Sequence, residues 1–227
     1  MTKKAHIVCG GPVCENSKDK FGFETEPDDI VIAADSGYAS CLEAGVEPDL
    51  LVADFDSLEG GRPDNPVCPV IELPCKKDDT DLAACLKEGL ERGYRSFNIR
   101  RALGGDTGHS IAAIRCLGWL REQGAYGKVC GCCQSAAIIT PQDGLVELGQ
   151  IAPGCLVSHP QLELPVGTRV SVFAYAGDAS GVCEQDMEWE LNDATIAADD
   201  HFGVSNTVAG AHPAVSVAQG RLLVVIG

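Results

Sequence analysis

Short apolar runs alternate with longer segments of helical spacing through the first part of the chain. Runs such as AHIVC (5–9) and LLVA (50–53) are continuous and bounded by Gly, Pro or Asp, which is typical of buried strands. The segment TDLAACLKEGLERG (80–93) has amphipathic spacing, with Thr80 or Asp81 as its predicted start and a terminal glycine as its stop. Strands that alternate with helices predict a parallel sheet covered by helices on both faces.

The pattern changes after PQDG (141–144), where helical spacing ends. Short apolar runs separated by Gly, Pro and Asp follow, a pattern typical of an all-β sandwich or barrel. The sequence therefore predicts an α/β domain with a parallel sheet over residues 1–142 and a smaller all-β domain over residues 143–227.

Carboxylates and glycines occur where the predicted parallel strands end, namely Asp35, Asp54, Asp56 and the pair Gly104–Gly105. In open α/β sheets, ligands bind in the crevice beyond the carboxyl ends of the strands. Residues two apart in an extended strand point the same way, so Asp54 and Asp56 are expected to converge. Their mutual repulsion favours a divalent cation between them, and Mg²⁺ prefers such oxygen ligands.

Two further segments have both a structural and a functional interpretation. KKDDTD (76–81) opens a predicted helix, where acids either cap the helix or take part in a metal or nucleotide site. The Gly-Gly turn in RALGGDTGHS (101–110) lets backbone approach a phosphate, although the chain lacks both the P-loop and the G-x-G-x-x-G motif. His109 is either a ligand-binding residue or a structural cap.

Composition excludes several classes of protein. The net charge of −16 over 227 residues argues against a nucleic-acid partner. No apolar run approaches the ~20 residues that span a bilayer, and the N-terminal run is shorter than a signal peptide needs, so we expect a cytoplasmic protein. Of the twelve cysteines, only Cys130 and Cys133 form a C-x2-C pair. A structural zinc site usually needs two more ligands, so we expect reduced, mostly buried cysteines.

Taken in order, the motifs resemble the thiamine pyrophosphokinase family, also called thiamine diphosphokinase. The family patterns D-G-G-A, P-D-x-x-x-G-D-F-D-S, K-D-x-T-D, G-G-R-x-D-H and S-N each have a similar segment, in this order along the chain. The segments that carry the resemblance are AADSGYASCLEAGVEPDLLVADFDSL (33–58), KKDDTDLAACL (76–86), ALGGDTGHSIAAI (102–114), MEWEL (187–191) and GVSNTVAG (203–210).

The resemblance implies a Rossmann-like α/β domain, a C-terminal β domain and a homodimer. It implies a transferase that moves pyrophosphate from ATP to thiamine and yields thiamine diphosphate and AMP. Asp54, Asp56 and Asp81 would be the catalytic residues and would hold Mg²⁺ on the ATP phosphates. The residues implied for ATP binding are Asp35, Gly37, Lys77, Asp78, Thr80, Gly104, Gly105 and His109.

For thiamine, the resemblance implies a site between one subunit's α/β domain and the other subunit's β domain. Trp189 would stack on the pyrimidine, Ser205 would hydrogen-bond it, and Asn206 would support that loop. An aromatic face suits a flat cationic ligand. Without the resemblance, Trp189 would be interpreted as a core residue, because tryptophan is highly buried on average.

The chain departs from the family pattern in the glycine turn, where Asp106 replaces the family's Arg and Gly108 its Asp. The first change removes a bidentate phosphate partner and adds a negative charge where ATP is expected. Milder departures are Ser36 and Ala53, each in place of a family glycine. Two alternatives to the active kinase remain. The altered turn leaves open a binding homologue without turnover, and D-F-D-S permits a phosphatase with Asp54 as nucleophile and Asp56 as acid.

Overall fold

A computed structural model describes residues 3–12, 25–58, 60–76, 78–131, 133–153 and 163–227. The chain forms two compact units, residues 1–132 and 133–227. The sequence-based boundary at 142/143 falls later than this division. The difference arises because the strand Ser135–Ile139 pairs with Leu222–Ile226 inside the second unit.

The first unit is an α/β unit with a parallel sheet, as the alternation of apolar runs predicted. Its strands are β1 (Ala5–Val8), β2 (Ile30–Ala34), β3 (Leu50–Ala53), β4 (Val70–Glu72), β5 (Ser96–Arg100) and β6 (Tyr126–Cys130). Their order is β4-β3-β2-β1-β5-β6, and all neighbouring pairs are parallel. The order reverses between β1 and β5, which makes their carboxyl ends the expected ligand site.

The burial of the central strands agrees with their continuously apolar sequences. Every residue of β1, β2 and β3 is buried, as expected for central strands covered on both faces. The short strand β4 at the sheet edge is half-exposed, and its weak apolar pattern was not recognised as a strand in the sequence.

Three helices connect the strands of the first unit: α1 (Gly37–Glu43), α2 (Asp81–Glu91) and α3 (Thr107–Glu122). Thr80 caps α2 by accepting a hydrogen bond from Ala83 N at 3.2 Å. Gly93 follows α2 with a φ of 83°, a conformation that favours glycine and ends the helix as predicted. The helix predicted within residues 80–93 is thus confirmed.

The strands of the second unit form two antiparallel sets, in agreement with the predicted β domain. Their orders are β12-β9-β14-β7 and β11-β10-β13-β8. The strands are β7 (Ser135–Ile139), β8 (Val146–Glu147), β9 (Arg169–Ala174), β10 (Ala179–Gln185), β11 (Leu191–Ile196), β12 (Asn206–Thr207), β13 (Ala214–Ser216) and β14 (Leu222–Ile226).

Two short helical segments interrupt this β unit: the 3₁₀ turn Pro141–Asp143 and helix α4 (Leu148–Ile151). The all-β prediction is therefore right for the sheets but missed these turns, which are too short to show helical spacing. In the described part of the chain, no helix combines the length and the apolar character needed to cross a membrane.

Candidate functional site

The carboxyl ends of β1, β2 and β5 surround a cleft of about 400 Å³. The cleft lies where the strand order reverses, the usual ligand position in an open α/β sheet. Loops after the three strands and the first turns of α2 and α3 line it. The lining includes residues 9–12, 34–36, 80–82, 101–102 and 104–106, together with Ser57, His109, Ala112 and Ala113.

Two glycines let the loop after β1 pass close to its neighbours. A Cβ at Gly10 would lie 1.9 Å from Ser36 Oγ, and one at Gly11 would lie 2.2 Å from Arg101 O. Gly11 N donates to Arg101 O at 2.9 Å, and Arg101 Nε donates back to Gly11 O at 2.8 Å. This reciprocal pair fixes the two loops at the reversal point. Sequence reasoning treated Gly10 and Gly11 only as strand breakers.

Three non-glycine residues near the strand ends adopt the left-handed backbone conformation: Asp35 (φ 44°), Phe55 (φ 62°) and Arg101 (φ 54°). Such conformations persist only where the surrounding structure enforces them, and they cluster at functional sites. Each follows a strand whose carboxyl end is expected to face ligand. The sequence contains no local signal for this strain.

Phe55 also corrects the expected geometry of the two carboxylates beside it. Strand β3 ends at Ala53, and the left-handed Phe55 breaks the extended alternation that was to align Asp54 with Asp56. Asp54 Oδ1 instead accepts a hydrogen bond from Asp56 N at 3.3 Å. Asp56 Oδ1 accepts one from Ser57 Oγ at 2.8 Å. A tight turn, and not strand pleating, therefore sets the relation between the two carboxylates.

Asp35 is the most unusual group in the cleft. Its side chain is 3% exposed, and neither carboxylate oxygen has a hydrogen-bond partner within the described residues. Burial is the main cause that raises its pKa, with partial compensation from the nearby Ser36 backbone N–H. Three further carboxylates raise the pKa again through their charge: Asp81, Asp54 and Asp56. Asp35 is therefore a buried acid whose pKa is raised both by its burial and by the negative charges of three other acids.

This donor set fits Mg²⁺, which prefers carboxylate oxygens and often uses only one or two of them beside water and phosphate. A buried carboxylate without partners is also the group that a cation would compensate. Among the residues that the structure describes, no three or more His, Cys, Asp or Glu side chains are grouped closely enough to hold a metal ion. Asp54, Asp56 and Asp81 therefore stay predicted ligands.

The glycine turn shows the structural role of Asp106. Gly104 and Gly105 have φ values of 90° and 67°, which carry the chain from β5 into α3. Asp106 is the N-cap of α3 and accepts a hydrogen bond from His109 N at 2.8 Å. The His109 ring is largely exposed, with Nδ1 3.9 Å from Asp106 Oδ1. Asp106 thus uses its charge at the helix N-terminus, where a carboxylate is favourable.

The cleft gathers part of the predicted ATP-binding and catalytic residues. Its lining includes Asp35, Thr80, Asp81, Gly104, Gly105 and His109. Gly37, Asp54, Asp56 and Asp78 do not line it, and Lys77 lies outside the described residues. Gly37 has a packing role, since a Cβ there would lie 1.9 Å from Val8 O.

In the second unit, Trp189 projects into solvent with 63% of its surface exposed, which excludes the core interpretation. Asn206 is 8% exposed, and its side chain bonds to the Trp189 backbone. Ser205 has a φ of 60°, and its N–H donates to Ser171 Oγ at 3.0 Å. Glu184, buried and bonded to Asn206, was missed in the sequence. The only sequence signal for Glu184 is an acidic residue among the apolar residues of a strand.

Two family models match the chain. The family model "Thiamin pyrophosphokinase, catalytic domain" matches residues 24–126, and "Thiamin pyrophosphokinase, vitamin B1 binding domain" matches residues 159–222. The chain belongs to the thiamin pyrophosphokinase family. Neither match is to a phosphatase family, so the D-x-D phosphatase interpretation gains no support.

Individual members of the thiamin pyrophosphokinase family are distant in sequence but similar in fold. A thiamine pyrophosphokinase of Bacillus subtilis (strain 168) is 30% identical over 118 residues, which are 51% of this chain and 54% of that protein. The match thus spans about half of the curated relative. Two solved structures show the same fold. The Bacillus subtilis enzyme has a TM-score of 0.78 at 20% identity, covering 99% of this chain and 98% of its own. The Candida albicans enzyme has a TM-score of 0.67 at 11% identity, and the match covers 99% of this chain and 89% of that one.

Proposed function

We propose that the protein is an Mg²⁺-dependent thiamine diphosphokinase that transfers pyrophosphate from ATP to thiamine, giving thiamine diphosphate and AMP. The observation that carries this proposal is the buried Asp35 carboxylate, which has no hydrogen-bond partner in the described structure and lies in the field of three other acids. It lies at the reversal point of a parallel sheet, in a cleft of about 400 Å³. That volume is in the range of small-molecule sites.

On this proposal, the nucleotide lies in the cleft against backbone that glycines leave uncovered. Gly104 and Gly105 line the cleft just before α3, and Thr80 and Asp81 border it at the start of α2. Asp35, Lys77, Asp78 and His109 complete the proposed nucleotide set, with Gly37 holding the loop after β2. Phosphoryl transfer depends chiefly on such positioning and on charge neutralisation.

The proposed metal ligands are Asp54, Asp56 and Asp81. When bound, Mg²⁺ would neutralise phosphate charge and orient the transferred group. The protein residues hold the acids in place: Asp56 N restrains Asp54, Ser57 Oγ restrains Asp56, and α2 carries Asp81 as its first residue. The chain needs no covalent nucleophile for this reaction.

Thiamine is proposed to bind at Trp189, whose exposed ring offers a π-face to the cationic ligand. Ser205, in a strained conformation at the adjoining loop, would donate a hydrogen bond to it. Asn206 makes its contacts to protein and would support the loop without touching the ligand. We further propose that the enzyme acts as a cytoplasmic homodimer, as the family resemblance implies.

Substitution of the metal ligands tests this proposal. Asp54→Ala and Asp81→Ala should each abolish AMP formation from ATP, thiamine and Mg²⁺. Asp79→Ala is the matched control because Asp79 belongs to the same acidic segment but pairs with Lys87 at 2.5 Å. It should retain turnover. Wild-type-like turnover in either of the first two variants would contradict the metal assignment.

A second candidate function is a thiamine-binding homologue without turnover. Asp106 favours it, because this acid lines the cleft where the family pattern has an arginine. Titration calorimetry with thiamine, combined with a coupled AMP assay, separates the two. Thiamine binding without Mg²⁺-dependent AMP release would support the binding protein, and measurable AMP release would exclude it.

A further inference from the structure

The Asn206 side chain forms a clamp on the backbone of Trp189. Asn206 Nδ2 donates to Trp189 O at 2.8 Å, and Asn206 Oδ1 accepts from Trp189 N at 3.1 Å. The same oxygen accepts from Thr207 N at 2.9 Å. Both backbone groups of Trp189 are therefore held by one buried amide.

Glu184 completes this arrangement from strand β10. Its Oε2 accepts the second Nδ2 hydrogen of Asn206 at 2.6 Å, so all the hydrogen-bonding groups of the amide are used. Glu184 is 3% exposed and pairs with the neutral Asn206, since no cationic side chain in the described structure forms an ion pair with it. Burying an acid without a cationic partner costs free energy, so we expect Glu184 to have a specific structural or functional role.

The side chain that this network holds is exposed. Trp189 shows 63% of its surface to solvent, so its own packing does little to fix it. Neighbouring bonds brace the same segment: Glu188 N donates to Thr207 O at 2.8 Å, and Thr207 Oγ1 donates to Glu188 Oε2 at 2.8 Å. An exposed aromatic residue on a fully bonded backbone is already ordered before ligand arrives, which reduces the entropy lost on binding.

We propose that Glu184 is a positioning residue for the thiamine site, which acts through Asn206 to hold Trp189 in its stacking position. The identity of the ligand rests on the proposed function, but the mechanical role of Glu184 does not. The role depends on an acceptor atom and not on charge. Glu184→Gln can present its carbonyl oxygen to Asn206 Nδ2 and should preserve the clamp, whereas Glu184→Leu leaves a buried N–H without a partner.

Time-resolved fluorescence anisotropy of Trp189 tests this role without any ligand. The chain has two tryptophans, so Trp119→Phe makes Trp189 the only indole. In that background, Glu184→Leu should add a nanosecond segmental motion and lower the slow component of the anisotropy, and Glu184→Gln should not. Val182→Ala, which removes atoms from a fully buried residue of the same strand, controls for general loosening. Unchanged anisotropy in Glu184→Leu, or an equal change in Val182→Ala, would overturn the proposal.

Steady-state kinetics tests whether the hydrogen bonds of Glu184 and Asn206 affect the binding of thiamine. Glu184→Leu should raise the KM for thiamine about tenfold, the effect of losing one buried hydrogen bond, and leave the KM for ATP unchanged. Glu184→Gln should restore the thiamine KM. Equal changes in both KM values would contradict a positioning role.

If Glu184→Leu does not fold, Asn206→Ser removes the clamp from the other side. It should reproduce the added Trp189 motion, and unchanged motion would overturn the proposal. Failure of the proposed function has a different signature. In that case wild-type protein would not bind thiamine at all, while the anisotropy of Trp189 would still depend on Glu184.

Discussion

Asp35→Asn changes the charge at the centre of the candidate site while keeping its shape. Asparagine tolerates the left-handed conformation that Asp35 adopts at a φ of 44°. The substitution removes a carboxylate that is 3% exposed and has no hydrogen-bond partner within the described residues. In the absence of metal, we expect the variant to be more stable than the wild type.

The expected gain in stability follows from the free energy cost of burying the Asp35 carboxylate. The amide of the variant is as buried as the carboxylate, so the gain is only the additional cost of the charge: an unsatisfied buried neutral group costs about 1–3 kcal/mol and a charged one more. The variant also removes the repulsion from Asp81, Asp54 and Asp56. For a chain of this size, each kcal/mol corresponds to roughly 2–4 °C in Tm. Asp35→Asn should therefore raise the Tm in EDTA by several degrees at neutral pH.

The gain should depend on pH in a defined direction. The folded-state pKa of Asp35 is raised, so the native protein retains a proton that the unfolded chain loses. Wild-type stability therefore falls as pH rises from about 3.9, the ordinary Asp value, through the raised pKa. The stability advantage of Asp35→Asn over the wild type should be absent near pH 4 and should grow as pH rises through the raised pKa of Asp35.

Calorimetry with and without Mg²⁺ measures both effects. The wild type should gain about 2.7 kcal/mol at a metal concentration one hundred times the Kd, whereas Asp35→Asn should lose most of that gain and its turnover. Asp193→Asn is the matched control, an exposed aspartate that also has a positive φ, 53°. It should change neither Tm nor the Mg²⁺ response. A lower Tm of Asp35→Asn in EDTA, or an unchanged Mg²⁺ response, would refute the reasoning.

Substitutions at three further positions test the glycine turn, the thiamine site and the loop after β1. Asp106→Asn should keep the α3 cap and lower the KM for ATP by removing a negative charge from the cleft, while Asp106→Ala should cost about 1 kcal/mol of stability in thermal unfolding. Trp189→Phe should retain most thiamine affinity in calorimetry, whereas Trp189→Ala should lose the cation–π contribution of about 1–2 kcal/mol. Gly11→Ala should cost about 1–3 kcal/mol of stability, because its Cβ would lie 2.2 Å from Arg101 O.

Each of these has a contradicting result. A higher KM for ATP in Asp106→Asn would show that the carboxylate helps to bind the nucleotide. Unchanged thiamine affinity in Trp189→Ala would show that the Trp189 ring does not stack on thiamine. Wild-type stability in Gly11→Ala would mean that the loop after β1 is not fixed against Arg101.

The fold was largely predictable because its signals are local. The buried runs of β1, β2 and β3 are continuously apolar, and the caps of α2 are ordinary capping residues at the expected places. The edge strand β4 lacked such a signal because it is half-exposed and only three residues long.

The candidate site was less predictable because its features are long-range. The turn at Phe55 cannot be seen in D-F-D-S, which suggested strand geometry for both acids. The cap role of Asp106 became visible only with the conformation of α3. Glu184 and Asn206 are separated by 22 positions along the chain and meet only in the folded β unit.

The central claim is pyrophosphate transfer, and the fate of the β-phosphate of ATP tests it most directly. The wild-type protein would be incubated with Mg²⁺, thiamine and ATP labelled at the β-phosphorus. If pyrophosphate is transferred, the label should move into thiamine diphosphate while unlabelled AMP forms in equal amount. Label retained in ADP would show transfer of a single phosphate, and label retained in ATP would show binding without turnover. Either result would contradict the account.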